Sequence, residues 1–80
     1  MQAYSVEATF APLHGTDVDA FHDLLDILPE AYLIDSPTEP TAVTVIDAES
    51  GTHAAHQTVR ALVSRGLDLR AIRVVAFTEN

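Results

Sequence analysis

Apolar and polar residues alternate over Ala3–Ala11, with Tyr4, Val6, Ala8 and Phe10 on one face and Ser5, Glu7 and Thr9 on the other. Period two with one polar face predicts a strand covered on one side only. Pro12-Leu13-His14-Gly15 is a loop, after which the period lengthens. Asp17–Leu28 reads as a helix whose core stripe is Val18, Phe21, Leu25 and Leu28, widened by Leu24 and Ile27. Thr16 stands at its N-cap position, Asp17 and Asp19 occupy the favourable first turn, and Pro29 stops it. Ala31–Asp35 is a short strand, apolar on both sides, so either Leu33 or the pair Tyr32 and Ile34 is buried.

Ser36–Pro40 holds two prolines and forms a stiff connection to the next strand. In Thr41–Asp47, Val43 and Val45 oppose Ala42, Thr44 and Ile46, and the latter three are expected on the uncovered face. A second helix, Thr52–Arg65, is capped by Ser50 or Thr52 and buries Ala55, Val59, Leu62 and Val63. Gly66 fits the left-handed position after its end, which brings Leu67 onto Leu62. Leu69–Phe77 is the last strand, with Ile72, Val74 and Ala76 on one face and Arg73, Val75 and Phe77 on the other.

The order β-α-β-β-α-β, with right-handed crossovers and a central hairpin, predicts an α+β fold. Its four-stranded antiparallel sheet has order 4-1-3-2, with two helices on one face. Along its whole length the chain resembles the ferredoxin-like plait, an architecture that hosts unrelated functions. Eighty residues make one small domain, residues 1–80, and 48% apolar content supplies a continuous core.

Charge adds to this picture. Twelve acids face four bases, all arginine, for a net charge of -8. Residues 1–50 carry ten of the acids and no Lys or Arg, whereas Arg60, Arg65, Arg70 and Arg73 all follow. Such a surface repels nucleic acid and anionic membrane, and it suits a basic protein partner. The chain has no cysteine, which excludes disulfides and thiolate chemistry. No basic region precedes an apolar run at the N-terminus and no apolar run approaches a membrane span, so a cytoplasmic protein is expected. Abundant Ala, Val, Thr, Asp and Arg without lysine points to coding by a high-GC genome, that of a bacterium or its phage.

RNA-binding plaits stack bases on aromatics of the two central strands. Here those positions are Ser5, Glu7, Thr9, Ala42, Thr44 and Ile46, none aromatic or basic. Metallochaperone plaits need two cysteines in the first loop, and acylphosphatase-like plaits an arginine there; Pro12–Thr16 has neither. Gly15 in the first strand–helix loop, the strand TAVTVID and a second helix ending at Gly66 before LRAIRVV resemble the small regulatory ACT-type domains. The chain departs from them in carrying Pro-Leu-His-Gly where they have an acidic residue and Pro-Gly. The resemblance implies amino-acid binding near Leu13, His14, Gly15 and Thr16, commonly between two chains.

His53 and His56 form an H-x-x-H pair on the second helix, a spacing compatible with shared metal binding but short of the four ligands of structural zinc. Ser50 and Thr52 read as caps and Asp47 as a turn residue, so neither catalysis nor a cofactor is expected. The sequence therefore predicts a non-enzymatic protein-interaction or regulatory module, with an ACT-like ligand-sensing domain or a metal-binding protein using His53 and His56 as the alternatives. Its expected contact surfaces are the acidic helix face, with Asp19, Asp23 and Asp26, and an open sheet face bearing Ile46, Val75 and Phe77. A homodimer is expected, through that sheet face, through the last strand's edge, or by docking of the arginine-bearing half on a neighbour's acidic helix.

Overall fold

The computed structural model describes residues 1–76. It contains β1 (Gln2–Phe10), α1 (Asp17–His22), α2 (Leu24–Ile27), β2 (Tyr32–Ile34), β3 (Thr41–Ala48), α3 (Gly51–Val63) and β4 (Leu69–Ala76). The strands form one sheet in the order β2-β3-β1-β4, with every neighbouring pair antiparallel. Read from the other edge, this is the expected 4-1-3-2. The helices cover one face, an α+β arrangement compatible with a ferredoxin-like plait.

The core lies between helices and sheet in two adjoining clusters. Ala8, Phe10, Phe21, Leu24, Leu28, Ala42 and Leu62 make one, and Val6, Ile46, Ala48 and Ala54 the other. Phe10 and Phe21 meet edge to face, their ring centroids 5.8 Å apart. This geometry suits the ring quadrupoles and adds about 0.5–1.5 kcal/mol beyond the area buried. It also fixes the rotation of the first helical stretch against β1.

That rotation corrects the expected helix stripe. Phe21, Leu24 and Leu28 are buried, whereas Val18 and Leu25 are 40% and 50% exposed. The helix is divided at Asp23, which keeps helical dihedrals while its N–H reaches the carbonyls of Asp19 and Phe21. Asp19 and Asp23 are like charges four residues apart, and Asp is a poor interior helix former, so the stretch is weakest there. Thr16 is not a side-chain cap: its backbone is already helical. The Asp17 carboxylate instead accepts from the His14 N–H, at 3.3 Å.

The sheet register overturns the expected facing of β3. Val6 stands opposite Thr44, Tyr4 opposite Ile46 and Ala8 opposite Ala42. Residues directly opposite share a face, so Ala42, Thr44 and Ile46 lie under the helices with Val6, and Val43 and Val45 turn to the uncovered side. Ile46 is 6% exposed and belongs to the core. Thr44 is fully buried there because its hydroxyl donates to the Pro29 carbonyl, which also accepts the Val45 N–H.

The stripe of α3 is likewise shifted by one position. Ala54, Thr58 and Leu62 are buried, with Ala55, Val59 and Ala61 half-buried and Val63 exposed. Small side chains on the inward line let the helix lie close to the sheet. A Cβ at Gly51 would meet Val74 Cγ1 at 3.5 Å and the Tyr4 ring at 3.7 Å. Ser50 caps the helix, its hydroxyl accepting the His53 N–H at 3.2 Å. Gly66 has φ +71°, the left-handed conformation expected after the helix, and Leu67 packs on the cluster containing Leu62.

Candidate interaction surface

The pairing of four strands lays out the uncovered face in rows. One row runs Tyr32, Val43, Glu7, Arg73; the next runs Val45, Ser5, Val75; a third runs Ile34, Thr41, Thr9, Ala71. β2 therefore turns Leu33 toward the core, where it packs on the Phe10 cluster, and presents Tyr32 and Ile34 outward. Tyr32, Ile34 and Val75 are 57%, 46% and 47% exposed, while Val43, beside Tyr32 in its row, is 4% exposed. Glu7 and Arg73 approach to 4.0 Å within the first row. An exposed pair of this kind contributes little to stability. The face thus has an apolar zone of Tyr32, Val43 and Val45, a charged pair beyond it and Val75 in the adjoining row.

Of the residues expected on this face, Val75 lies on it, Ile46 does not, and Phe77 falls outside the described residues. Sequence reasoning missed Val43 and Val45 and left Tyr32 and Ile34 undecided. The sequence carries no signal that decides this, because Ala31–Asp35 is apolar on both sides.

The helical layer carries charge of opposite sign on its two parts. Asp19, Asp23 and Asp26 are exposed on α1–α2, a stretch without Lys or Arg. α3 contains no acid, and its outer surface has an open hollow lined by His53, His56, Gln57, Val59 and Arg60. His53 Nδ1 lies 3.9 Å from Glu49 Oε2, just before the helix, and His22 Nε2 lies 3.7 Å from Asp35 Oδ1. Among the described residues Arg60 has no carboxylate within ion-pair distance, and no group of three or more His, Cys, Asp or Glu side chains is placed to hold a metal.

In the first loop Leu13 packs on the core, whereas His14, Gly15 and Thr16 are exposed. Gly15 takes φ +58°, and its carbonyl accepts the Val18 N–H. Every buried side-chain polar atom among the described residues has a hydrogen-bond partner. No described helix is long and apolar enough to cross a membrane. Compared with known proteins, the chain matches no family model and no curated protein.

Proposed function

We propose that this protein is a non-enzymatic interaction module of ferredoxin-like architecture that docks a partner protein on its open sheet face. The observation that carries this reading is the exposure of Tyr32, Ile34 and Val75 on the side of the sheet that no helix covers. An apolar zone next to charged groups on so small a chain is the composition of an association surface, and tyrosine is enriched where such surfaces bind. The neighbouring Glu7–Arg73 pair supplies polar groups of both signs that fix the partner's orientation.

The test is affinity capture with wild type and a Tyr32→Thr/Val75→Thr variant. Threonine retains strand preference, and both sites are half exposed, so folding stability is expected to change by no more than about 1 kcal/mol. Capture of the wild type's specific partner should fall at least about tenfold in the variant, the effect of losing about 1.4 kcal/mol of binding. Undiminished capture by a variant of unchanged melting temperature would show that the sheet face is not where the partner docks.

A further inference from the structure

We infer that two copies of the chain pair through their helical layers, α3 of each copy lying on α1–α2 of the other. The two surfaces complement one another in charge. α3 offers Arg60, with His56 beside it and no acid in the helix, and α1–α2 offers Asp19, Asp23 and Asp26 with no Lys or Arg. They also complement one another in apolar character. Val18 and Leu25 are seven residues apart, hence on one side of the helical stretch, and both are exposed at 40% and 50%. Facing them across the proposed contact is the hollow of α3, whose apolar wall is Val59, with Val63 beyond it 69% exposed.

Both surfaces lie on the same layer of one chain. One two-fold rotation therefore satisfies both contacts at once, the isologous closure that most homodimers use. The net charge of -8 per chain opposes association. At physiological salt, however, charges more than about 8 Å apart are largely screened, so the local match of arginine and aspartate decides the register. Pairing in this way leaves both open sheet faces pointing outward. The dimer would then present two copies of the sheet docking face, and the inference stands independently of whether that face is used.

The experiment is light scattering across a dilution series on wild type and two exposed-site variants, Arg60→Glu/His56→Glu and Asp19→Lys/Asp26→Lys. The wild type should have twice the 8.6 kDa mass of one chain. Each variant alone should have the single-chain mass, and an equimolar mixture should recover the doubled mass, because the reversed surfaces again carry opposite charges. A wild type of single-chain mass at every concentration, a variant that stays paired, or a mixture that fails to associate would each overturn the inference. Circular dichroism melting confirms that each variant is folded. Tyr32→Thr/Val75→Thr distinguishes self-pairing from sheet-face docking: it should reduce partner capture and leave the doubled mass unchanged. Loss of the doubled mass in that variant would place the pairing on the sheet face and overturn the helical-layer contact.

Discussion

Among the described residues Thr44 and Thr58 are the two buried polar ones, and they differ in what their hydroxyls do. Thr44 donates to the carbonyl of Pro29, a residue in the irregular turn before β2. Thr58 donates to Ala54 O at 2.9 Å, a carbonyl one helical turn back that the helix ladder already uses. Replacing Thr44 by valine keeps the shape but removes a tie between two elements. It should cost about 1 kcal/mol, the net worth of an ordinary hydrogen bond, measured as a lower urea midpoint. Thr58→Val should cost less, because its hydroxyl binds a carbonyl of its own helix and ties no second segment to it. Equal losses for the two would show that the Pro29 contact has no special weight. In sequence Thr44 is simply the polar residue of an apolar strand, and that is why it was expected outside. A hydroxyl partner fifteen residues away leaves no local trace.

Among the elements, those with chemical punctuation were the most legible. Ser50 before α3 and Gly66 after it occupy the positions their chemistry favours, a hydroxyl acceptor for a free N–H and a residue tolerant of φ +71°. Ser50→Ala should therefore lower stability by about 1 kcal/mol. Gly66→Ala should lower it by a similar amount, about 1 kcal/mol, because a Cβ strains the left-handed conformation even in open space. Gly51→Ala should behave in the opposite way. Its backbone is not left-handed, the new Cβ would make ordinary contacts with Val74 and Tyr4, and the unfolded chain would lose freedom. A gain of about 0.4–1 kcal/mol is expected in thermal or denaturant unfolding, and a loss would reveal tighter α3–sheet packing than these distances show.

Facing was harder to read than existence for the same elements. Apolar residues lie on more than one side of α1–α2, α3 and β3, so periodicity left their rotation open by a residue. Phe21 against Phe10 fixed the first, the alanine–threonine line against the sheet fixed the second, and pairing with β1 fixed the third.

For the molecule as a whole, the core depends on the meeting of both parts of the helical layer at Leu62. This leucine is 1% exposed in the cluster that holds Phe10, Phe21 and Leu24. Leu62→Ala should cost about 2–5 kcal/mol through lost burial and the cavity left behind. In a chain of 80 residues, whose total stability is on the order of 5–10 kcal/mol, that is a large share. In chemical denaturation it should lower the midpoint further than Thr44→Val, Ser50→Ala or Gly66→Ala does. The surface is organised at the same scale. The acidic α1–α2 and the basic α3 share one side of the sheet, and Tyr32, Ile34 and Val75 share the other. The proposed self-pairing and the proposed partner docking therefore use opposite sides of the sheet, and variants on one side are expected to leave the other unchanged.

The sequence by itself determined the type and order of the elements, apart from the division of the first helix at Asp23, the antiparallel sheet that follows from them, and the split of charge along the chain. These depend on periodicity, capping residues and glycine or proline stops, all of which act over a few neighbouring residues. Only the tertiary structure decided which side of β3 meets the helices, which residues of α1–α2 and α3 remain exposed, and hence which side chains form the candidate surfaces. A strand slipped by one residue, or a helix turned by one position, keeps its local pattern almost intact. The choice between such alternatives is made by contacts between residues distant in the chain, as between Val6 and Thr44 or Phe10 and Phe21.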